Sequence, residues 1–184
     1  MIRYEVWPAM LCLIDSLQEH GSYCGATHIQ KATFLAQELT GLDLGLDFRL
    51  YHHGPFSFDL RETLDELEAA EAVKATLNPP YGPKYAVTDN GYGFWAQFET
   101  PDFDPQPLEF VAEKLAPKNV AELEAYGTAA LVDRELPSAP LEVRLERLLQ
   151  YKPHISQARG EEAFQHIADW RREWGQRKSA VVTC

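Results

Sequence analysis

The sequence contains little cysteine and no long apolar run. Its 184 residues include three cysteines, Cys12, Cys24 and Cys184, and none of them stands in a CxxC pair. An odd number of widely spaced thiols predicts unpaired cysteines in a reducing compartment. No stretch approaches the roughly 20 apolar residues that span a bilayer, and Pro8 and acidic residues interrupt the N-terminal apolar run, which is unlike a signal peptide. We therefore expect a cytoplasmic protein that does not bind membranes.

The chain also lacks the short motifs of common catalytic and phosphate-binding sites. It has no glycine-rich phosphate loop, no H-E-x-x-H and no G-x-S-x-G. Basic residues are few, since 17 Lys and Arg stand against 28 Asp and Glu, for a net charge of −11. Nucleic acid and anionic lipid both attract basic faces. These absences predict a non-enzymatic protein with no catalytic residue, no metal and no cofactor, and they disfavour nonspecific binding to DNA.

Apolar residues make up 45% of the chain, which is enough to form a folded core. The length suits one domain, or one domain with a helical extension. Three prolines between positions 101 and 107 predict a boundary there. We therefore predict a winged-helix-like domain at 1–100, a helical subdomain at 105–175 packed on it, and a flexible tail at 176–184.

Helical periodicity dominates the beginning of the chain. Apolar residues recur at helical spacing from Trp7 to Leu17 and predict a first helix. A second helix is predicted to begin at Thr27, whose hydroxyl would form a capping box with the side chain of Gln30. Gly41 is predicted to end this helix, because glycine readily adopts the left-handed conformation found there.

The period then changes to that of a strand. Alternation that places Phe48 and Leu50 on one face predicts a short strand, which ends in a turn at Gly54 and Pro55. Ser57 is predicted to cap the next helix, whose buried stripe would be formed by Leu60, Leu64 and Leu67.

A hairpin and a short helix follow. Strand-like runs at 73–77 and 84–88 flank a proline-rich tip and predict an antiparallel hairpin. Thr88 or Asp89 would cap a short helix, with inward side chains from Tyr92, Trp95 and Phe98. The order helix, helix, strand, helix, hairpin is typical of a winged helix-turn-helix. The predicted fold is mostly α, in the α+β class, with a small β-hairpin wing and a helical C-terminal extension.

Four helices are predicted beyond the boundary. Asp104 would cap the first, with Pro105 at its first position. Asn119 and Glu122 start the second, a leucine repeat forms the third, and the fourth is predicted to end at Gly175.

Three segments of the winged part resemble a known family. They read IQKATFLAQEL, LDFRLYHHGPFSFDLRETLDELEAAEAV and KYAVTDNG. Over roughly residues 25–95 they resemble the YwgA-like group of small bacterial proteins and, more distantly, the Panacea domain of SocA-type antitoxins. A weaker similarity lies at 152–154. The matching positions are Lys31, Tyr51, Gly54, Pro55, Ser57, Tyr85, Thr88 and Gly91.

The resemblance implies an antitoxin or adaptor that recognises another protein, and it brings no catalytic residue. Phe56 and Ser57 replace the Val-Pro-Ser-type continuation of the antitoxin turn. An antitoxin role is therefore one expectation within a broader regulatory class.

DNA binding is the function that a winged helix first suggests. The helix at 57–71 contains one base, Arg61, and six acids. Phosphate contacts and base readout call for Arg, Lys, Asn or Gln on such a surface. Duplex DNA is therefore an unfavourable ligand for this helix, and a solvated acidic face is the simpler interpretation.

His52, His53 and Ser57 invite catalytic or metal-binding interpretations, but each has a simpler one. Adjacent histidines on a strand point to opposite faces and cannot easily chelate one metal. A histidine packed on the core beside a Gly54-Pro55 turn explains the pair, and helix capping explains Ser57. The turn residues Gly54, Pro55 and Ser57 are thus predicted to be structural.

The C-terminal part differs in charge from the rest of the chain. Residues 144–184 hold eight bases and five acids, a net charge of +3, which leaves −14 on residues 1–143. The terminal bases either complement a helix dipole or dock an acidic surface, including that of a second copy. Trp170 and Trp174 form a hot spot if they are exposed, and a core between the two parts if they are covered.

These observations predict a regulatory protein that acts by protein recognition. Candidate partner-binding residues are Tyr51, His53, Phe58, Arg61, Tyr81, Trp170 and Trp174. The partner would be another protein, such as a toxin or effector encoded nearby, and a homodimer is also possible. The alternative function is a DNA-binding winged-helix transcriptional regulator.

Overall fold

The computed structural model describes residues 6–98 and 104–182. Within these ranges the chain forms eight α-helices, a 3-10 helix at Ala96–Phe98 and two antiparallel hairpins. The predicted mostly helical, α+β class is confirmed. The elements are α1 Val6–Glu19, α2 Ala26–Thr40, β1 Arg49–Tyr51, β2 Gly54–Phe56, α3 Phe58–Ala69, β3 Val73–Asn78, β4 Tyr81–Val87, α4 Asp89–Trp95, α5 Gln106–Leu115, α6 Val120–Glu135, α7 Leu141–Tyr151 and α8 Gln157–Val182.

The first hairpin differs from the prediction in its turn. β1 pairs with β2 in the register Arg49 to Phe56 and Tyr51 to Gly54. The reversal therefore lies at His52–His53, and the Gly54-Pro55 pair belongs to the second strand. The two residues predicted to share a face also differ, since Phe48 is buried whereas Leu50 is 37% exposed.

The second hairpin has the predicted pairing. Val73 is opposite Val87 and Thr76 is opposite Lys84, with an irregularity between Thr76 and Asn78. The tip lies at residues 79–80, and β4 begins at once with Tyr81. The two hairpins form separate sheets.

Most predicted helix caps are present. Ser57 Oγ accepts a hydrogen bond from Leu60 N at the start of α3, and Thr88 Oγ1 accepts one from Gly91 N at the start of α4. Asn119 and Glu122 form the capping box of α6. These caps need only partners a few residues away along the chain.

The capping box predicted at Thr27 is wrong. Helix α2 begins after Gly25, which makes no side-chain capping bond, and Gln30 hydrogen-bonds a different part of the chain. The end of α2 is confirmed, because Gly41 adopts a φ of +76° and donates its N–H to Gln37 O.

Two further predictions need correction. Tyr92 is not inward but 44% exposed, with its hydroxyl 2.5 Å from Asp15 Oδ1. Trp95 is half-buried, and the side chain of Phe98 lies outside the described part of the chain. Helix α8 continues to Val182 and does not end at Gly175.

One apolar core joins the N-terminal and C-terminal helices. Helix α2 packs against α5, α6 and α8, while α1 packs against α5. Buried side chains of α1 and α2, such as Leu13 and Phe34, belong to the same cluster as Phe110 of α5 and Leu131 of α6. Residues 99–103 of the predicted boundary segment at 99–107 lie outside the described residues.

Cys12 and Cys24 are buried and unpaired, as predicted, whereas Cys184 lies outside the described residues. None of the helices in the described ranges combines the length and apolar character needed to cross a bilayer.

Candidate functional site

Exposed aromatic side chains gather on the β1–β2 hairpin and the first residue of α3. The ring centroids of Tyr51 and Phe56 are 5.3 Å apart, and Phe58 lies 5.7 Å from Tyr51 and 5.1 Å from Phe56. Tyr51 is 46% exposed and Phe58 is 57% exposed, while Phe56 is half-buried beneath them. Together with Leu50, these three side chains form what we call the aromatic hairpin surface.

Gln30 fastens the end of this hairpin to α2. Its Nε2 donates to Ser57 O and its Oε1 accepts from Ser57 N, both at 2.9 Å. Gln30 and Ser57 are buried, so both backbone groups of Ser57 are satisfied without water. Ser57 thus joins the hairpin, α2 and the start of α3, which explains its burial without a nucleophilic role.

Lys31, the next residue of α2, binds the backbone of β2 through its side chain. Its side chain is only 2% exposed, and Nζ donates to Pro55 O over 2.6 Å. Burial lowers the pKa of Lys31 to about 7; Glu124 acts in the opposite direction and Lys152 lowers it further. A buried amine of this kind is stable only where acceptors and a counter-charge surround it.

Lys152, at the end of α7, holds the turn of the hairpin. Its Nζ donates to Tyr51 O at 3.1 Å and to His52 O. The same Nζ lies 2.8 Å from Glu124 Oε1, and both side chains are less than one-tenth exposed. His154 Nε2 lies 3.0 Å from the other carboxylate oxygen. Glu124 of α6, Lys152 at the end of α7 and His154 are therefore joined by direct contacts, and Lys152 links them to the turn at His52–His53.

Glu124 supplies the counter-charge for both lysines. Burial alone would raise the pKa of its carboxyl, but the hydrogen bonds from Lys152 and His154 outweigh burial and lower the pKa. Glu124 therefore remains a carboxylate at neutral pH; it forms an ion pair with Lys152, and its charge partly offsets the effect of burial on the pKa of Lys31. We call Lys31, Glu124 and Lys152 the buried charge cluster; His154, which bonds Glu124, is itself exposed.

The backbone of β2 lies close to α6. Gly54 has a φ of +85°, and a Cβ there would lie 3.1 Å from Thr128 Oγ1. A Cβ on Gly127 would lie 3.1 Å from both Lys31 Cδ and Pro55 Cδ. Glycine is required at Gly54 by conformation, and both glycines allow the strand to contact the helix. The structural role predicted for the Gly-Pro-x-Ser turn residues thus has a specific basis.

The two histidines of the turn have different surroundings from those predicted. Both are exposed, and the ring of His52 lies 4.3 Å from that of Tyr51. Neither packs on the core. In the described ranges no three His, Cys, Asp or Glu side chains are close enough to hold a metal ion.

Tyr81 lies on the other hairpin, at its tip. It is 70% exposed and its ring makes an edge contact with Tyr23 at 6.1 Å. The Tyr23 hydroxyl donates to Gly82 O at 2.6 Å, which ties the tip to the segment before α2. Tyr81 and the aromatic hairpin surface are therefore carried by separate sheets.

Trp170 and Trp174 are core residues and do not belong to an exposed surface. Trp170 packs on Tyr126 at 5.1 Å, and Trp174 packs on Phe110 at 5.3 Å. Trp174 Nε1 also donates to Thr40 O. Of the two interpretations that the sequence allows, burial is the one observed, and Trp174 contacts the N-terminal part through Thr40.

Most bases of α8 are neutralised within the chain. Arg171 pairs with Asp133, and Arg177 pairs with Glu113 and Glu173. Arg172 pairs with Asp169 on its own helix. These ion pairs join α8 to α5 and α6, so the basic C-terminal end is less available for docking than its net charge indicates.

Two acids of α3, Glu62 and Asp65, differ from the paired charges of α8. Arg61, Glu62 and Asp65 are exposed on the helix that starts at Phe58. Among the described residues, no Lys or Arg forms an ion pair with Glu62 or Asp65. Glu62 and Asp65 therefore present negative charge beside the aromatic hairpin surface.

A search against known protein families finds no matching family model, and no curated protein matches the chain. The arrangement itself offers apolar rings and carboxylates on a surface that buried polar contacts hold in place. Sequence reasoning identified Tyr51 and Phe58 but missed Leu50, Phe56 and Glu124. The aromatic spacing at 51, 56 and 58 is the local signal for Phe56, whereas nothing local marks Leu50 or Glu124.

Proposed function

We propose that this chain is a non-enzymatic regulatory protein that recognises another protein through the aromatic hairpin surface. The observation that carries the proposal is that Tyr51 and Phe58 stay exposed, in ring contact, on a hairpin held by Lys31, Lys152 and Gln30. Aromatic side chains dominate the energetic centres of protein interfaces. A surface that is already ordered also loses less entropy when it binds.

The scaffold that we propose for residues 1–100 is a winged helix. The order of α1, α2, the first hairpin, α3 and the β3–β4 hairpin supports it. One feature differs from the predicted order, because β1 pairs with β2 and not with the wing strands. In this proposal β3–β4 is the wing and β1–β2 is an added element that carries the recognition surface.

The regulatory class that we propose is antitoxin-like or adaptor-like, in the cytoplasm. The resemblance of residues 25–95 to the YwgA-like group and the Panacea domain supports this class. The partner would be a toxin or effector encoded nearby, or a second copy of the chain. The positions that carry the resemblance include Lys31, Gly54, Pro55 and Ser57, all of which hold the hairpin.

The alternative is a DNA-binding transcriptional regulator. The element order supports this alternative as well, but the charge of α3 does not. A protein that contacts DNA through a helix neutralises phosphates with Lys or Arg, whereas residues 57–71 hold one base, Arg61, and six acids. We therefore propose that α3 does not bind duplex DNA.

The experiment compares the full chain with a Tyr51→Ser/Phe58→Ser variant. Each is used to capture partners from an extract of its own organism, and the captured proteins are quantified by mass spectrometry. A Leu141→Ser/Val143→Ser variant is the matched control, because it removes two exposed apolar side chains from α7. A cooperative thermal transition well above the assay temperature establishes that each of the three chains is folded.

We expect a defined protein to be enriched by the wild type and by the control but lost with Tyr51→Ser/Phe58→Ser. The protein identified in this way is then produced and its affinity measured with each variant. Equal affinity for wild type and Tyr51→Ser/Phe58→Ser would contradict the proposed surface. Tight, sequence-dependent binding to duplex DNA that is lost with Arg61→Ala would favour the transcriptional regulator.

A further inference from the structure

We infer that the aromatic hairpin surface and the adjacent carboxylates of α3 form one recognition surface, and that its partner is a basic amphipathic segment. This inference rests on the proposed function and specifies the chemistry of the partner. The segment would place an apolar side chain against Tyr51 and Phe58 and direct Lys or Arg along α3.

The first argument is geometric. Phe58 is the first residue of α3, and a helix turns by about 100° per residue, so that positions three, four and seven residues later share its side. Arg61, Glu62 and Asp65 occupy these positions and are exposed, so the side carries two acids and one base; the acids are the fourth and seventh residues. Since the rise is about 1.5 Å per residue, they lie roughly 6 and 10 Å along the axis from Phe58. A segment anchored at the rings would therefore meet these carboxylates as it runs along the helix.

Second, the carboxylates beside Phe58 differ from those of α5 and α8 in whether a cation neutralises them. On α5 and α8, Glu113 and Glu173 share the cations of Lys114 and Arg177. Glu62 and Asp65 have no such cation in the parts of the chain that the structure describes. Their charge is therefore available to an external cation.

The third argument concerns which partner this charge selects. Complementary charge beside an apolar anchor steers association and disfavours partners of like charge. The basic residues of the surface are few: Arg61 lies on α3, and Arg49 of β1 pairs with Asp47 at 3.1 Å. The net field along Glu62 and Asp65 thus favours Lys and Arg over Asp and Glu in the bound segment.

The experiment uses two synthetic peptides of about 16 residues, long enough to form a helix on binding. Both carry the same Leu and Trp face; the remaining positions are Lys and Arg in the basic peptide and Glu in the acidic one. Binding of each labelled peptide to the full chain is measured by fluorescence anisotropy at about 50 mM and about 500 mM NaCl, because screening separates the charge contribution from the apolar one.

Glu62→Lys/Asp65→Lys tests the carboxylates. Glu142→Lys/Glu146→Lys is the matched control, because it makes the same change in net charge at two exposed positions of α7. Phe58→Ser tests the apolar anchor that both peptides share.

At low salt we expect the basic peptide to bind the wild type at least roughly tenfold more tightly than the acidic peptide. Glu62→Lys/Asp65→Lys should remove this preference, and the α7 control should retain it. Phe58→Ser should weaken both peptides. Equal binding of the two peptides, no binding of either, or an equal effect of the α7 control would each overturn the inference. Loss of binding with Phe58→Ser but not with Glu62→Lys/Asp65→Lys would overturn only the basic partner and leave the proposed function standing.

Discussion

The β1–β2 and β3–β4 hairpins are both two-stranded and antiparallel, but they contact the helices through different chemistry. The first buries polar groups, since Lys31 Nζ and Lys152 Nζ donate to its carbonyl oxygens. The second buries the side chains of Val73 and Tyr85, and the backbone N–H of Tyr85 donates a hydrogen bond to Cys24 O. One hairpin is therefore fastened by charged side chains and the other by apolar packing and main-chain hydrogen bonds.

The size of the first hairpin explains this difference. Each strand has three residues, and β1 leaves Leu50 and Tyr51 exposed. Little apolar area is left to bury, and an isolated two-stranded hairpin is marginal in water. Hydrogen bonds from buried side chains can order such a short segment while leaving its apolar side chains exposed. The two requirements of a binding surface, order and exposure, are thus met together.

We expect the largest loss of stability when the counter-charge beneath the first hairpin is removed. Glu124→Ala leaves the buried amines of Lys31 and Lys152 without their carboxylate. Loss of one partner of a buried ion pair costs about 3–5 kcal/mol. We expect this loss in the free energy of unfolding, measured by urea denaturation.

Glu62→Ala is the control for Glu124→Ala, because this carboxylate is exposed and has no ion-pair partner among the described residues. Its expected effect is within about 0.5 kcal/mol. Similar losses for the two variants would mean that the buried charge cluster does not hold the fold.

These contacts also define what the sequence could predict. Ser57, Thr88 and the Asn119–Glu122 pair cap helices as predicted, because each cap joins residues three positions apart. Gln30 was assigned to a local cap, whereas its partner lies 27 residues away. Local chemistry is readable in the sequence, but a polar side chain with an equally good distant partner is not.

The buried charge cluster and the tryptophans illustrate the same limit. Lys152 meets Tyr51 O about a hundred positions earlier in the chain, and nothing near Glu124 marks it as buried. The periodicity of α8 places Trp170 and Trp174 on one face, but only the packing of α2, α5 and α6 determines that this face is covered. A residue can belong to a binding surface only if it is exposed. Because tertiary contacts determine exposure, helical periodicity alone could not separate these tryptophans from surface residues.

The close approach of the first hairpin to α6 gives the next largest effect. Gly54→Ala introduces a side chain at a φ of +85° and places its Cβ 3.1 Å from Thr128 Oγ1. We expect a loss of about 1–3 kcal/mol in thermal or urea denaturation. Gly175→Ala is the control with the opposite sign, because this helical glycine has open space around it and alanine favours a helix by up to about 1 kcal/mol. An unchanged stability of Gly54→Ala would show that the contact with α6 tolerates a side chain.

Stability should also change with pH, and this change distinguishes the hairpin held by lysines from the one held by apolar packing. Burial lowers the pKa of Lys31 to about 7 in the folded chain, from the ordinary lysine value of 10.5. Between these values the unfolded chain binds the proton and the folded chain does not, so stability rises as pH increases through this window. The slope contributed by one proton is at most about 1.4 kcal/mol per pH unit.

The measurement compares urea denaturation of the wild type and Lys31→Met between pH 7 and 10. The wild type should gain stability with pH relative to Lys31→Met, which has no titrating amine there. Val73→Ala at the second hairpin serves as the control and should follow the wild-type pH profile with a constant offset. Parallel profiles for the wild type and Lys31→Met would show that the amine is not titrated in this window.

The smallest effect concerns the tip of the second hairpin. Leu77 is 79% exposed and Tyr81 contacts one ring, that of Tyr23, at a centroid distance of 6.1 Å. Because exposed side chains with few contacts contribute little to stability, Leu77→Ser/Tyr81→Ser should change the free energy of unfolding by less than about 0.5 kcal/mol. Tyr51→Ser removes the ring contacts with His52, Phe56 and Phe58 and should cost more, about 0.5–1.5 kcal/mol. Urea denaturation of both variants tests this order. If the tip variant lost more than Tyr51→Ser, the second hairpin would depend on its tip, and the contrast between a polar anchorage and an apolar one would not account for how the two hairpins are held.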